Sequence, residues 1–195
     1  MATTIEHQQA PIGTAGEGVP GAVAGDGRQP TAARLTTKQV WHQVAKASFA
    51  VLGYVTPAGE PRSSGVVYKL IEGRLYVAVA PDSWQAKHVA ASGRVAVTVP
   101  VRRRGVLSLV LPIPPATISF HGAAIVHPAG SPEVRSAWKE LASLVPAERR
   151  ASACVIEVVP EGEFLTYALG VPLRKMRDSA AAQARVSVSR EASTR

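Results

Sequence analysis

Residues 48–80 read SFAVLGYVTPAGEPRSSGVVYKLIEGRLYVAVA, three apolar runs rich in β-branched and aromatic residues, separated by two turn signals. Thr56-Pro57-Ala58-Gly59-Glu60 closes the first run, with Pro57 presetting φ for a reversal and Gly59 tolerating positive φ. The second run, 61–70, stops at Glu72-Gly73 before Arg74-Leu75-Tyr76-Val77-Ala78-Val79-Ala80. Together they predict an antiparallel meander. Asp82-Ser83-Trp84-Gln85 has the form of a helix start, with Asp82 as the cap and Gln85 reaching back, or Ser83 as the cap instead. Lys87 sits on that short helix, and 94–101 returns as an apolar strand.

Outward from this segment, Thr36-Thr37-Lys38-Gln39 reads as a capping box for a helix to about residue 47, with Val40, Val44 and Ala47 on one stripe. Residues 116–127 alternate as a strand, Ile118, Phe120 and Gly122 facing one way and Ser119, His121 and Ala123 the other. Ser131-Pro132-Glu133 opens a helix whose apolar face is Val134, Trp138, Leu141 and Val145. Stretches 152–160 and 163–169 read as the last strands. Cys154 shares parity with Ile156 and Val158, opposite Glu157, and reads as a buried structural thiol with no base to activate it. The pattern predicts a mainly β fold, an antiparallel barrel of six or seven strands whose openings are covered by three short helices. Strict α/β alternation is absent, which excludes a doubly wound sheet.

The chain of 195 residues has length for one domain, read as 35–170, between a Gly, Ala, Pro and Gln-rich arm at 1–34 and a basic tail at 171–195. The arm is too poor in large apolar residues to offset the entropy of ordering, so disorder is expected there. It lacks the basic and continuous apolar regions of a secretory signal, and no run reaches bilayer-spanning length, so the expected compartment is the cytoplasm. A single cysteine makes no internal disulfide and no Cys-rich zinc site, and no metal is expected. The net charge is +8 and the pI about 10.1. Six basic against two acidic residues from Pro172 onward supply +4 of it. The remaining cluster, Arg102-Arg103-Arg104, has no nucleic-acid-binding motif beside it, so no specific nucleic-acid partner is expected. It opens an insertion at 102–115 whose core, Val106 to Leu111, reads as an intramolecular or dimer contact, a substrate lid, or a basic-apolar membrane-surface patch. His88 and His121 read as structural or surface histidines, Trp41 and Trp138 as helix-face core, and Trp84 as a ring-stacking residue or a cover for the barrel mouth.

Phe49-Ala50-Val51-Leu52, Gly59 to Tyr68, Gly73-Arg74-Leu75-Tyr76-Val77, Lys87 in its helix and Gly93-Arg94-Val95-Ala96-Val97, taken in order, resemble the pyridoxamine 5′-phosphate oxidase-like split barrels and their deazaflavin-using relatives. The motifs cover the middle quarter of the chain, and the order of elements extends the likeness to about residue 169. The resemblance implies a homodimeric split β-barrel with FMN at the subunit interface, a small-molecule substrate, and oxidoreductase chemistry by hydride transfer at the cofactor ring. It implies a phosphate held by Arg62, Ser63, Ser64 and Lys87 and a ring facing the backbone of Gly65, Val66 and Val67, with Lys69 and Ser83 as further contacts. It names no catalytic side chain. Relatives carry hydroxyl or guanidinium donors where this chain has Ala78-Val79-Ala80 and Gln85-Ala86, which leaves the deazaflavin coenzyme F420, or haem, as alternatives to FMN. A non-enzymatic FMN- or haem-binding module and a membrane-peripheral interaction protein are the rival readings.

Overall fold

The computed structural model describes residues 35–102, 115–172, 178 and 182–189. The arm at 1–34, the insertion from 103 to 114 and most of the tail fall outside these residues, and the expectations attached to them go with them.

The first helix, α1 (Thr37–Lys46), starts at the expected capping box: Gln39 N–H donates to the Thr36 hydroxyl and Thr36 N–H to the Gln39 side chain. Its stripe buries Val40, Trp41 and Val44. Strands β1 (Phe49–Val55), β2 (Pro61–Val67), β3 (Lys69–Ile71), β4 (Arg74–Val79), β5 (Arg94–Val101), β6 (Ala116–His127), β7 (Cys154–Tyr167) and β8 (Gln183–Ser187) form one antiparallel sheet. Its path is β2-β1-β5-β6-β7-β4-β3, with β8 on β7. The sheet curls into a half-barrel around one main core, in which Trp41 meets Phe164 edge to face at 5.0 Å and Phe164 meets Phe120 at 5.3 Å. Two further helices flank it, α2 (Trp84–Ser92) and α3 (Arg135–Leu141).

The expected meander is corrected at its second run. Residues 61–70 do not form one strand: the chain breaks at Tyr68, β2 pairs with β1, and β3 pairs with β4. Tyr68 is 1 % exposed; its N–H donates to the Ser48 carbonyl at 3.0 Å and its hydroxyl to the Val44 carbonyl at 2.6 Å. Tyr68 shares the parity of the buried Val66, so its ring stays on the core face while the backbone passes from its pairing with β1 to its pairing with β4. Ser83, not Asp82, caps α2, its hydroxyl accepting the Ala86 N–H at 3.2 Å.

Three more differences concern the C-terminal half. Instead of two last strands there is one long β7, bent where the β6 register shifts between Ser119 and His121. Gly122 permits the bend, since a Cβ there would lie 2.3 Å from the Val159 carbonyl oxygen. The helix begun at Ser131 is short, a 3-10 turn at Pro132–Val134 followed by α3, because the Ser131 hydroxyl bonds Glu133 rather than capping the backbone. In the basic tail, residues 183–187 form β8 on the far half of β7. The Val188 carbonyl accepts the Trp41 indole N–H at 3.2 Å.

Cys154 is buried, as expected, but so is Glu157 on the opposite face. Tyr76, Val155 and the α3 residues Ala137 and Leu141 build a second small core there. Glu157 joins three strands: it pairs with Arg74 of β4 and accepts from the His127 ring of β6 at 2.7 Å. Burial raises its carboxyl pKa, but the bonds and charges of Arg74 and His127 outweigh this and hold it below the ordinary value.

Glu157 therefore contributes stability that is complete above the ordinary carboxylate pKa and disappears as pH falls through its depressed folded value. Glu157→Ala should cost about 2 kcal/mol at neutral pH, less than a fully buried pair because Arg74 is half exposed. Urea unfolding at pH 7 and pH 3.5 should show the loss shrinking in acid; a pH-independent difference would mean the carboxylate carries no charge-dependent role. Burial pushes the Tyr68 phenol pKa upward, so its contribution holds below about pH 10 and falls at higher pH as the unfolded chain ionises first. Tyr68→Phe should cost about 1 kcal/mol at neutral pH and flatten the alkaline decline, read from the same unfolding curves.

Candidate functional site

The break at Tyr68 leaves β2 at the end of the sheet path, paired among the described residues with β1 alone. Tyr68 N–H and Thr56 N–H both point into the β1–β2 hairpin, donating to Ser48 and Glu60. By strand alternation the backbone groups of Ser64 and Val66 also point inward, and those of Ser63, Gly65 and Val67 point to the free edge. That edge lines a cleft of about 340 Å³ through Gly65, Val66 and Val67. Its floor is the C-terminal end of β4, Val77-Ala78-Val79-Ala80. The start of α2 supplies Ser83 and Gln85, and Leu141, Leu144 and Val145 close the far side.

The polar character of the cleft is mostly backbone. At the start of α2, Ser83 N–H donates to Ala80 and Ala86 N–H to the Ser83 hydroxyl, which leaves the amides of Trp84 and Gln85 without partners at the positive end of the helix dipole. Such amides suit an anion, and the unpaired edge of β2 offers alternating donors and acceptors to a flat heterocycle. Ala78-Val79-Ala80 offers only apolar contact.

Of the residues expected at the site, Gly65, Val66, Val67 and Ser83 line this cleft. Arg62, Ser63, Ser64, Lys69 and Lys87 do not. Arg62 is exposed and paired with Glu60 at 2.8 Å. Ser63 is exposed on the outer face, while Ser64 stands opposite Leu52 with a buried hydroxyl that has no partner. Lys69 lies on β3 opposite Tyr76. Lys87 is exposed one turn into α2, its ammonium 5.9 Å from the centre of the Trp84 ring. Trp84, 73 % exposed, stacks obliquely on His88, which in turn meets Tyr54 at 5.8 Å. The His88 Nδ1 is buried without a partner. The lining residues not among those expected are Gln85, the end of β4 from Val77 to Ala80, and Leu141, Leu144 and Val145, the last three beyond β4 and α2. The signal for those three was the apolar stripe of 134–145 continuing past α3 to the Pro146 stop, which looked like core alone.

No family model matches the chain, and no curated protein matches its sequence. Solved structures do match in fold. A heme-binding protein from Mycobacterium smegmatis superposes with a TM-score of 0.59 at 17 % identity, over 80 % of this chain and 59 % of the other. A FAD-binding protein from Mesorhizobium loti gives 0.53 at 17 % identity, covering 65 % of this chain and 91 % of the other. The heme storage protein HutZ from Vibrio cholerae gives 0.53 at 11 %, with the same coverages. The fold is that of the split β-barrels. At these identities the likeness is one of architecture, and the chain spans under two thirds of the mycobacterial protein.

The residues of the cleft fit the ring of a flavin-type cofactor better than its phosphate. A planar ring finds a free strand edge on one side and an apolar floor on another. A phosphate finds two free amides and Gln85, with the Lys87 ammonium outside the cleft beside Trp84. Among the described residues no group of three or more His, Cys, Asp or Glu is placed to hold a metal ion, and no helix is long and apolar enough to cross a membrane.

Proposed function

We propose that the chain is a cytoplasmic, homodimeric oxidoreductase that binds a flavin or deazaflavin in the cleft between the free edge of β2 and the start of α2. The observation that carries this is the juxtaposition of unpaired strand amides at Gly65 and Val67 with unpaired helix amides at Trp84 and Gln85, across the apolar floor of β4. The FAD-binding neighbour of the same fold supports it. When bound, such a cofactor supplies hydride transfer at its ring. The chain's own part is to hold the ring edge by the β2 backbone, to exclude water with Val79, Leu144 and Val145, and to orient the phosphate at α2. Haem is the second reading, favoured by two neighbours of this fold.

What supports a dimer is the outer face of the β1–β2 hairpin. Phe49 (45 % exposed), Val51, Val55 and Val67 (50 % exposed) lie on it in one apolar stripe, and the tip of the Phe49 ring covers Gly65. Val67 belongs both to the stripe and to the cleft, so a second copy docked on the stripe would also wall the cofactor.

An absorption spectrum of the purified protein, followed by titration with FMN, riboflavin, F420 and haem, tests the cofactor. The expected result is saturable binding of a flavin or deazaflavin; a Soret band alone would transfer the site to haem, and no binding would end both readings. FMN should bind more tightly than riboflavin, and Lys87→Ala should weaken FMN by about 1–3 kcal/mol while sparing riboflavin. Sedimentation velocity should show a dimer that Phe49→Asp dissociates, with loss of chromophore affinity; a dimer unaffected by Phe49→Asp would place the contact elsewhere.

A further inference from the structure

A second, larger cleft of about 560 Å³ opens directly behind the first. The two share Ala78, Val79, Ala80, Leu144 and Val145, so a molecule in one touches the wall of the other. Beyond the shared wall the second cleft is bounded by Pro81, Pro146 and Ala153, with three polar residues, Asp82, Ser152 and Arg149. Its chemistry differs from that of its neighbour, where the polar contacts are mainly amides.

Arg149 gives the second cleft its sign. It ends the 3-10 turn Ala147–Arg149, which is pinned at both ends: Arg150 Nε–H donates to the Val145 carbonyl at 3.0 Å, and Ala153 N–H to the Arg149 carbonyl at 3.0 Å. The next arginine is thus spent on holding the loop, while the exposed Arg149 guanidinium makes no ion pair or hydrogen bond among the described residues. Asp82 lines the same cleft without pairing with it. Two opposite charges that share a cleft and do not meet are free for a ligand: the guanidinium attracts an anion in a bidentate fork, and the carboxylate repels one, so the anion is confined to the Arg149 end. The apolar remainder, Val79, Ala80, Pro81, Leu144 and Val145, takes a hydrocarbon body.

We propose that this second cleft is a subsite for an amphipathic organic carboxylate, anchored by Arg149 with its apolar body lying against Val79 and Val145. That the carboxylate is also the substrate rests on the cofactor reading of the first cleft; its binding does not. The shared wall at Ala78-Val79-Ala80 then sets the distance between the carboxylate's apolar body and whatever ring occupies the first cleft, so the reacting carbon would lie away from the charged end of the ligand.

The test uses 4-phenylbutyrate and 4-phenylbutanol as probes, titrated calorimetrically into the full chain. The acid should bind saturably and at least about tenfold more tightly than the alcohol, the scale of one charge-assisted hydrogen bond. Arg149→Gln should abolish that preference, Arg149→Lys should keep part of it, and Asp82→Asn should strengthen the acid. Equal binding of acid and alcohol, no saturable binding of the acid, or a preference that survives Arg149→Gln would each overturn the assignment. FMN titration of the same variants separates the two sites. A chain that ignores phenylbutyrate but binds FMN refutes the carboxylate subsite alone. One that binds phenylbutyrate through Arg149 but no chromophore refutes the cofactor reading alone.

Discussion

The buried hydroxyl of Tyr68, bonded to the Val44 carbonyl at the end of α1, fixes the corner on which the rest of the structure depends. The Val44 carbonyl belongs to the last turn of α1, where it has no intrahelical partner, so the phenol satisfies a helix end and a strand corner in one contact. Were β2 to continue into β3 as one straight strand, its outer edge would pair along β4 and no cleft would exist. The corner directs β3 onto β4 and leaves Gly65 and Val67 with free backbone groups beside the end of β4. The candidate site therefore depends on the corner that this contact anchors.

The opposite wall is held by a different kind of force. β4 lies between β3 and β7, and its position depends on Glu157, which reaches Arg74 on β4 and His127 on β6 from the middle of β7. A carboxylate in that place is costly unless paired, and its two partners turn the cost into a cross-link among three strands. At the bend near Gly122, β7 exchanges β4 for β8 as its neighbour, and α1 closes the far end through Thr37 and Trp41 on the Ser187 and Val188 carbonyls. The floor of the cleft is thus on the rigid part of the sheet, and its free edge is on the hairpin that ends the sheet.

Much of this was legible in residues whose chemistry is local. The Thr36-Gln39 capping box, the turns at Gly59 and Gly73, and the alternation of β6 each predicted their element, because caps, positive φ and period-two burial are set within a few positions. What was not legible depended on contacts distant in sequence. Tyr68 reads as one more strand residue until the Val44 carbonyl is placed beside it. Glu157 reads as solvent-facing until α3 covers it, and 183–187 carries too little apolar signal to announce a strand without β7 to pair with. At the site, Gly65, Val66, Val67 and Ser83 came from resemblance and share one cleft. Arg62 and Lys87 came from the same resemblance but lie outside the cleft, because a position in sequence does not say which way a side chain on a strand or helix points.

A cleft with few side-chain donors favours ligands by shape and apolar area more than by charge. Burying roughly 150 Å² of ring face against Val77-Ala78-Val79-Ala80 is worth about 4 kcal/mol, whereas the helix end contributes up to about 1 kcal/mol and one lysine about 1.5–3 kcal/mol. The apolar term is realised in full only when the ring is covered on both sides, and in a single copy the cleft is open beside Val67, which stays half exposed. A second copy docked on Phe49, Val51 and Val67 would supply the missing cover. Ring binding and subunit association would then stabilise one another by the same free energy, since whatever tightens one must tighten the other. With the apolar Ala78-Val79-Ala80 as its floor, the cleft would then hold a ring more by cover from outside than by a grip on a phosphate.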